Sequence, residues 1–437
     1  MSTEGEFRWS RWIRLGAPGS RVTRLELFFD LVYVFAFLNV TQLTGEELGL
    51  LGLLRALLVL ALLWWCWTSM AALGNLIRAD QGIVPVIVFI NMAAVFVLAL
   101  TISEAFVDQP GGLHGPLLFA ACYFIVRAMQ VAIVWGVNRV TPGPRHGVLL
   151  FAAPILISAT LIGIAGFVPA RLFAGDAEYA VRLSLWLAAL AVEYGFGTKI
   201  YTSRWTLTSA GHWAERHALI VLVALGESII SLGVGANLIG SAPVSWQAVA
   251  AAVFGIAVIA ALWWAYFDEP ALAIEQVLHG TRERRARMRL VRDAYTFLHL
   301  PMIIGIILFA LGLKKYLTDI TADTSTGWQH RIGGIELDVL YGGVLLYLTA
   351  LVAMAWRVLP GFRPSLILPF VGILLLITVV LRPPALIALG ILAAGSVTVA
   401  VTQIRHRERH RSRIRETALN EQLASEADQS EWRRKHL

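Results

Sequence analysis

The chain has 437 residues, of which 57% are hydrophobic and only 15% are charged, and its net charge is +7. Soluble globular proteins carry about 25% charged residues, so this composition excludes an ordinary soluble protein. The charges are also unevenly spread, since stretches such as 84–100 contain none. Only helices and closed barrels satisfy their backbone groups in lipid, and uninterrupted apolar runs exclude a barrel, whose strands would alternate.

Apolar windows predict an all-α, polytopic bundle of about twelve transmembrane helices, because a helix of roughly 20 apolar residues crosses a bilayer. The predicted spans are 25–43, 51–70, 83–103, 117–138, 147–167, 181–197, 218–238, 245–267, 294–313, 338–356, 366–382 and 384–404. The transmembrane domain is therefore 25–404, between a basic and aromatic segment at 1–24 and a basic tail at 405–437. The first helix is expected to serve as its own insertion signal.

The distribution of Lys and Arg predicts the orientation. Arginines cluster at 8–24, at 282–292 and from 405 onward, whereas loops such as 104–116 hold neither Lys nor Arg. By the positive-inside rule both termini are expected in the cytoplasm, on the inner side of a plasma membrane.

Both terminal segments are expected to contact the bilayer surface. The tail should attract anionic lipid headgroups, and nothing in it indicates nucleic-acid binding. The aromatic and aliphatic residues interleaved with arginines near the N-terminus should lie on the inner leaflet; they are Phe7, Trp9, Trp12 and Ile13.

The two halves of the hydrophobic region share a pattern. The second span ends in Trp64-Trp65, the eighth ends in Trp263-Trp264, and the span before each pair carries an acid, Asp30 or Glu227. Six spans per half would make 25–200 and 210–404 parallel repeats, an arrangement that transporters use, with the site at the repeat interface. The alternative is that Trp pairs at span ends form an ordinary interfacial belt.

Three segments resemble the bacterial low temperature requirement A family. The first is Arg24–Ala36 (RLELFFDLVYVFA) in the first span. The second is Glu215–Ile220 (ERHALI) leading into Leu225–Ser228 (LGES), and the third is Tyr295–Pro301 (YTFLHLP) followed by Gly305. The resemblance implies a multi-pass bacterial membrane protein, and it implies no defined reaction.

Acids inside the spans are the first candidates for function, because a charge at a helix centre costs about 2.5–3.5 kcal/mol on the insertion scale. Glu26 and Asp30 are four residues apart, so they share one face of the first helix, which Thr41 continues. Glu227 lies in mid-span beside Gly226. A cation or proton site that joins Asp30 to Glu227 is one hypothesis; local pairing of each acid is the other.

Arg127 in the fourth span needs a buried partner, for which Asp30, Glu193 and Glu227 are the candidates. This arginine either binds an anionic substrate or only neutralises an acid. Glu193, late in the sixth span, has the same two alternatives.

Histidines form the last group of candidates. His299 precedes Pro301 deep in the ninth span, where it would relay protons or simply be a hydrogen-bonded core residue. Glu215 and His217 begin the seventh span and are secondary candidates. His212 and His217 are five residues apart, which is not the spacing of a helical zinc protease.

The leading prediction is a transporter of a small solute or ion that uses buried acids. A cation channel is an alternative, because Phe28-Phe29-Asp30 distantly resembles the Phe-Ser-Asp motif of the lysosomal potassium-channel family. A membrane-embedded enzyme acting on lipid is another, with Glu215, His217, Glu227 and His299 as metal ligands or acid and base. HExxH and GxSxG motifs are absent from the sequence, so no catalytic residue, metal site or cofactor is expected.

Overall fold

A computed structural model describes residues 13–17, 19–46, 48–140, 146–203, 207–235, 245–322, 334–358 and 384–406, with scattered positions of the tail. Eleven long helices occupy these residues, and we number them in chain order. They are α1 (Arg24–Glu46), α2 (Leu50–Leu76), α3 (Val84–Leu100), α4 (Gly115–Val140), α5 (His146–Phe167), α6 (Asp176–Ser203), α7 (Ala210–Gly235), α8 (Trp246–Phe267), α9 (Leu298–Ala322), α10 (Gly334–Val358) and α11 (Ala385–His406).

The predicted all-α membrane bundle is confirmed. Within the described residues, nine helical segments are long and apolar enough to cross a bilayer, and Val84–Leu100 and Phe151–Phe167 are shorter apolar helices. Eleven of the predicted spans coincide with these helices, while the predicted span 366–382 lies outside the described residues. Large apolar side chains such as Leu31 and Val253 remain exposed on the outer surface, as lipid-facing positions require.

A local capping motif begins α1. The backbone N–H of Thr23 donates to Glu26 Oε2 at 2.8 Å, and the backbone N–H of Glu26 donates to Thr23 Oγ1 at 3.3 Å, which is a capping box. Just upstream, Leu15 forms an isolated antiparallel bridge with Ile77 after α2. The start of α1 and the end of α2 therefore lie on one side of the bundle.

Other chain segments lie at the same end of the molecule. Arg415 of the tail donates to Asp268 after α8, at 2.7 Å, and Arg357 at the end of α10 donates to Asp293 at 2.8 Å. We call this end the basic face. Ile13 is buried here, so the prediction that it lies on the leaflet surface was wrong; it packs against α4 at Gly136. Phe7, Trp9 and Trp12 lie outside the described residues.

A π-helix at Val291–Phe297 leads into α9. Pro301 has no N–H to donate to the carbonyl of Phe297, four residues back, and its ring crowds that carbonyl. The backbone in the preceding turn is π-helical, and side chains donate hydrogen bonds to two of its carbonyl groups. His299 Nδ1 donates to Ala294 at 2.8 Å, and Trp64 Nε1 donates to Thr296 at 2.8 Å. Such π-helical turns often mark functional sites.

Two contacts between helices bound the interior of the bundle. α9 lies so close to α10 that a Cβ added to Gly305 would be 2.6 Å from the carbonyl oxygen of Gly343. α1 and α7 pack side by side and parallel, because three of their polar contacts join residues with the same separation of 186 in sequence. We call this α1–α7 contact the seam.

The aromatic pairs that prompted the repeat have different surroundings. Trp64 and Trp65 are buried, whereas Trp263 and Trp264 are 41% and 37% exposed. The parallel repeat of 25–200 and 210–404 stays a prediction.

Candidate functional site

Four charged or titratable side chains meet where the seam approaches the basic face. Glu26 and Asp30 project from α1, while His212 and Arg216 project from α7, and each pair is spaced by one helical turn. Glu26 Oε1 lies 2.9 Å from His212 Nε2, and Asp30 Oδ1 lies 2.9 Å from Arg216 Nη2. Arg216 Nη1 is 3.8 Å from Glu26 Oε1, so one guanidinium faces both carboxylates. All four residues are buried.

The ring of His212 lies between Asn75 and Glu26. Asn75 Oδ1 accepts from the backbone N–H groups of Thr208 and Ser209, so its amide nitrogen faces the ring. That nitrogen lies 3.4 Å from His212 Nδ1, and His212 Nε2 lies 2.9 Å from Glu26 Oε1. The cluster therefore holds two carboxylates, one guanidinium and one imidazole.

Asp30 is only partly satisfied. Its Oδ1 accepts from Trp67 Nε1 at 2.8 Å as well as from Arg216. Its Oδ2 is buried and has no hydrogen-bond partner among the described residues, and the same holds for Nε and Nη1 of Arg216. Buried polar atoms are paired in the great majority of cases, so this site has unused capacity to bind a polar group.

An aromatic shell continues the site towards α9. His217 stands among the rings of Trp67, Trp213, Tyr295 and His299, at centroid distances of 4.7 to 5.2 Å. Its Nδ1 donates to the carbonyl of Trp213 at 2.9 Å, which leaves Nε2 as a buried acceptor without a partner among the described residues.

Four further buried polar atoms have no hydrogen-bond partner among the described residues; they are Tyr33 OH, Trp213 Nε1, Tyr295 OH and Thr296 Oγ1. His299 is fully engaged, because its Nε2 lies 2.9 Å from Tyr266 OH. The part of the interior near the basic face is thus polar on several helices at once.

Glu227 lies further along the same seam. Its Oε1 accepts from Thr41 at 3.0 Å and from Ser231 at 2.6 Å, while Oε2 is buried without a partner among the described residues. Within the described chain, no cationic side chain lies at ion-pair distance from Glu227. Asp30 and Thr41 are separated by 11 residues of α1, or about 16 Å. Asp30 and Glu227 therefore do not face each other in one site, as the hypothesis of a site that joins them would require.

Arg127 and Glu193 form a separate cluster between α4 and α6. Two nitrogens of Arg127 donate to the two oxygens of Glu193, at 3.2 and 2.8 Å. Trp65, Tyr123 and Ser158 each donate to the same carboxylate at 2.7 Å. Of the three acids proposed as partners of Arg127, Glu193 is the one that pairs with it.

The remaining Arg127 donor is also used. Its Nη1 donates to Gln130, which in turn donates to the carbonyl of Cys66. Every polar group of this cluster is paired, and its two charges cancel.

The other residues predicted as candidates do not form a common site. Glu215 is exposed and accepts from the backbone N–H of Val22 at 3.3 Å, so it joins two segments at the basic face. The four residues considered as metal ligands do not converge, and in the described part of the chain no group of three or more acids, histidines or cysteines could hold a metal ion.

Arg216, His212 and Trp67 were not selected as site residues from the sequence. A signal was present, because His212 and Arg216 have the same spacing of four as Glu26 and Asp30. Matching of the two motifs across a helix pair would have found the cluster.

Fold and buried charges together define a multi-pass helical membrane protein with a polar interior. Residues 21–401 match the model of the family described as bacterial low temperature requirement A protein, and the chain belongs to this family. It is also 28% identical over 370 residues to an uncharacterized protein of Rhizobium meliloti (strain 1021), RA0937, an alignment that covers 80% of this chain and 82% of the relative.

Proposed function

We propose that this protein is a transporter that moves a small solute or ion along the seam, coupled to a proton or cation at Asp30 and Glu227. The observation that carries the proposal is a pair of buried carboxylates on one helix interface, each with one oxygen unpaired among the described residues. Ionisable groups inside a membrane protein commonly mark ion pathways and proton relays.

The charge of the cluster near the basic face favours a cation. The two carboxylates of Glu26 and Asp30 face the one guanidinium of Arg216. A buried uncompensated charge is costly, so the cluster is stabilised by one further positive charge. A proton on Asp30 or on His212 supplies that charge in one state, and a transported cation supplies it in another.

Glu227 supports a second position deeper in the seam. Two hydroxyl groups hold it, and the described chain brings no cation to ion-pair distance. An acid in such surroundings gains a proton or a cation more readily than one already paired with arginine. Asp30 and Glu227 would thus act in succession along the path.

We also propose that the basic face is cytoplasmic and that the membrane is the bacterial plasma membrane. Arg14 and Arg78 lie at this face, with Arg292, Arg357 and Arg415. The positive-inside rule then places both termini in the cytoplasm.

The proposal is tested by purifying the protein, reconstituting it in liposomes and recording currents on a solid-supported membrane. Concentration jumps of amino acids, organic acids, sugars and monovalent cations are applied one at a time at constant pH. For a solute that gives a current with the wild type, Asp30→Asn and Glu227→Gln are expected to reduce it at least tenfold.

The matched control is Asp80→Asn, which alters an exposed acid paired with Arg78 and should leave the current unchanged. Size-exclusion profiles show that each variant still folds. Undiminished currents in both seam variants, or no wild-type current with any solute of the panel, would contradict the proposal.

A further inference from the structure

A groove runs along the lipid-facing side of the seam. Its volume is about 570 Å³, which lies in the range of ligand sites, roughly 300–1,000 Å³. The apolar walls come from both helices, with Leu27, Leu31 and Val34 on α1 and Leu222, Gly226 and Ile230 on α7. Leu31 is 57% exposed and Ile230 is 42% exposed, so the groove opens sideways towards the bilayer.

The charges of the groove lie at one end. Arg24 stands at the start of α1 and Asp30 lies six residues deeper, about 9 Å along the helix. Asp30 is 2% exposed, forms part of the lining, and keeps its Oδ2 without a hydrogen-bond partner in the described chain. A bound molecule can therefore meet a cation first and a carboxylate further in.

The rest of the groove is apolar over the length of a lipid chain. The constant separation of 186 residues places Ile230 level with position 44 of α1. From Leu31 to that level the helix rises about 20 Å. A Cβ added to Gly226 would meet no atom within 4 Å, so this glycine leaves open space in the middle of the apolar part.

We propose that this groove binds a zwitterionic lipid with a primary amine, its phosphate on Arg24, its ammonium on Asp30 and an acyl chain along the apolar walls. Arginine suits phosphate because its guanidinium offers two parallel donors. A primary ammonium donates hydrogen bonds to Oδ2, whereas a quaternary ammonium has no N–H to donate. The two carboxylates of Glu26 and Asp30, which face the one guanidinium of Arg216, also favour an ammonium.

This inference shares Asp30 with the proposed transport, since the lipid ammonium would be the cation at that carboxylate while the lipid is bound, but retention of the lipid is measured without any movement of a solute. The test is native mass spectrometry of the full-length protein after exchange into mixed micelles. The probes are phosphatidylethanolamine and phosphatidylcholine with identical chains. The wild type is expected to retain the ethanolamine lipid at least tenfold more strongly.

Three variants and one control test the ammonium, phosphate and acyl-chain contacts separately. Asp30→Asn should abolish the preference between the two lipids, and Arg24→Gln should weaken both. Gly226→Leu should displace both lipids by filling the groove, while Gly226→Ala, its matched control, leaves retention near the wild-type level.

Equal retention of the two lipids by the wild type would overturn the inference, and so would a preference that survives Asp30→Asn. The assay measures binding and no flux, so its result is independent of the solute currents. Each variant is compared at the same detergent concentration and checked for a monodisperse size-exclusion peak.

Discussion

The molecule contains two buried arginine–carboxylate clusters that differ in how completely they are paired. Between α4 and α6, Arg127 faces Glu193 in a two-point contact, and Trp65, Tyr123 and Ser158 complete the shell of that carboxylate. On the seam, Arg216 faces Asp30 through one nitrogen, and unpartnered atoms remain on both residues within the described chain.

The difference separates a structural role from a functional one. A neutral cluster with every donor and acceptor paired fixes the positions of the helices that supply it. A cluster with a second carboxylate and unused oxygens is less favourable in isolation, so it is retained where a proton, ion or ligand completes it. Both clusters contain an arginine and a buried carboxylate, and they differ in the number of carboxylates and in how completely these are paired.

The largest expected effect on stability comes from opening the complete cluster. Glu193→Ala leaves the Arg127 guanidinium buried without its counter-charge, and arginine does not lose its proton. Removal of one partner of a buried pair costs about 3–5 kcal/mol. The measurement is the free energy of unfolding in micelles, from denaturant titration followed by tryptophan fluorescence.

A double variant provides the control for that cluster. Arg127→Met together with Glu193→Met removes both charges, so it should be more stable than Glu193→Ala alone. If Glu193→Ala unfolds at the wild-type denaturant concentration, the cluster does not hold α4 and α6 together.

A smaller loss is expected at the seam. Arg216→Met removes the guanidinium that faces Glu26 and Asp30, but each of these acids can become neutral by taking up a proton. A buried arginine cannot become neutral by losing one. We expect a loss of about 1–3 kcal/mol, as for leaving buried polar groups unpaired. The same titration measures it, and a loss as large as that of Glu193→Ala would remove the distinction between the clusters.

The smallest stability effect is expected at Glu227. Glutamine keeps the acceptor oxygen that Thr41 and Ser231 use, and the wild-type Oε2 has no described partner to lose. Glu227→Gln should therefore change the unfolding free energy by less than about 1 kcal/mol, within the range of one net hydrogen bond. A large destabilisation would indicate that this acid holds the fold together and serves no transport step.

Some features of the fold and of the site were predictable from the sequence alone, and others were not. Spans were predictable because each depends on a local apolar window, and the buried acids Asp30, Glu193 and Glu227 were identifiable because charge is costly in such a window. Arg216 was harder to recognise, since it lies near a helix start where an interfacial position is the ordinary expectation. Its burial depends on α1 lying alongside α7.

The sequence by itself determined that this is an all-α, multi-pass membrane protein with costly charges in its spans, because insertion is a property of each segment and its flanking residues. Only the tertiary structure decided which charges meet. Arg127 finds Glu193 across 66 residues, and Arg216 finds Asp30 across 186. Such pairings depend on which helix faces pack together, which no local window records.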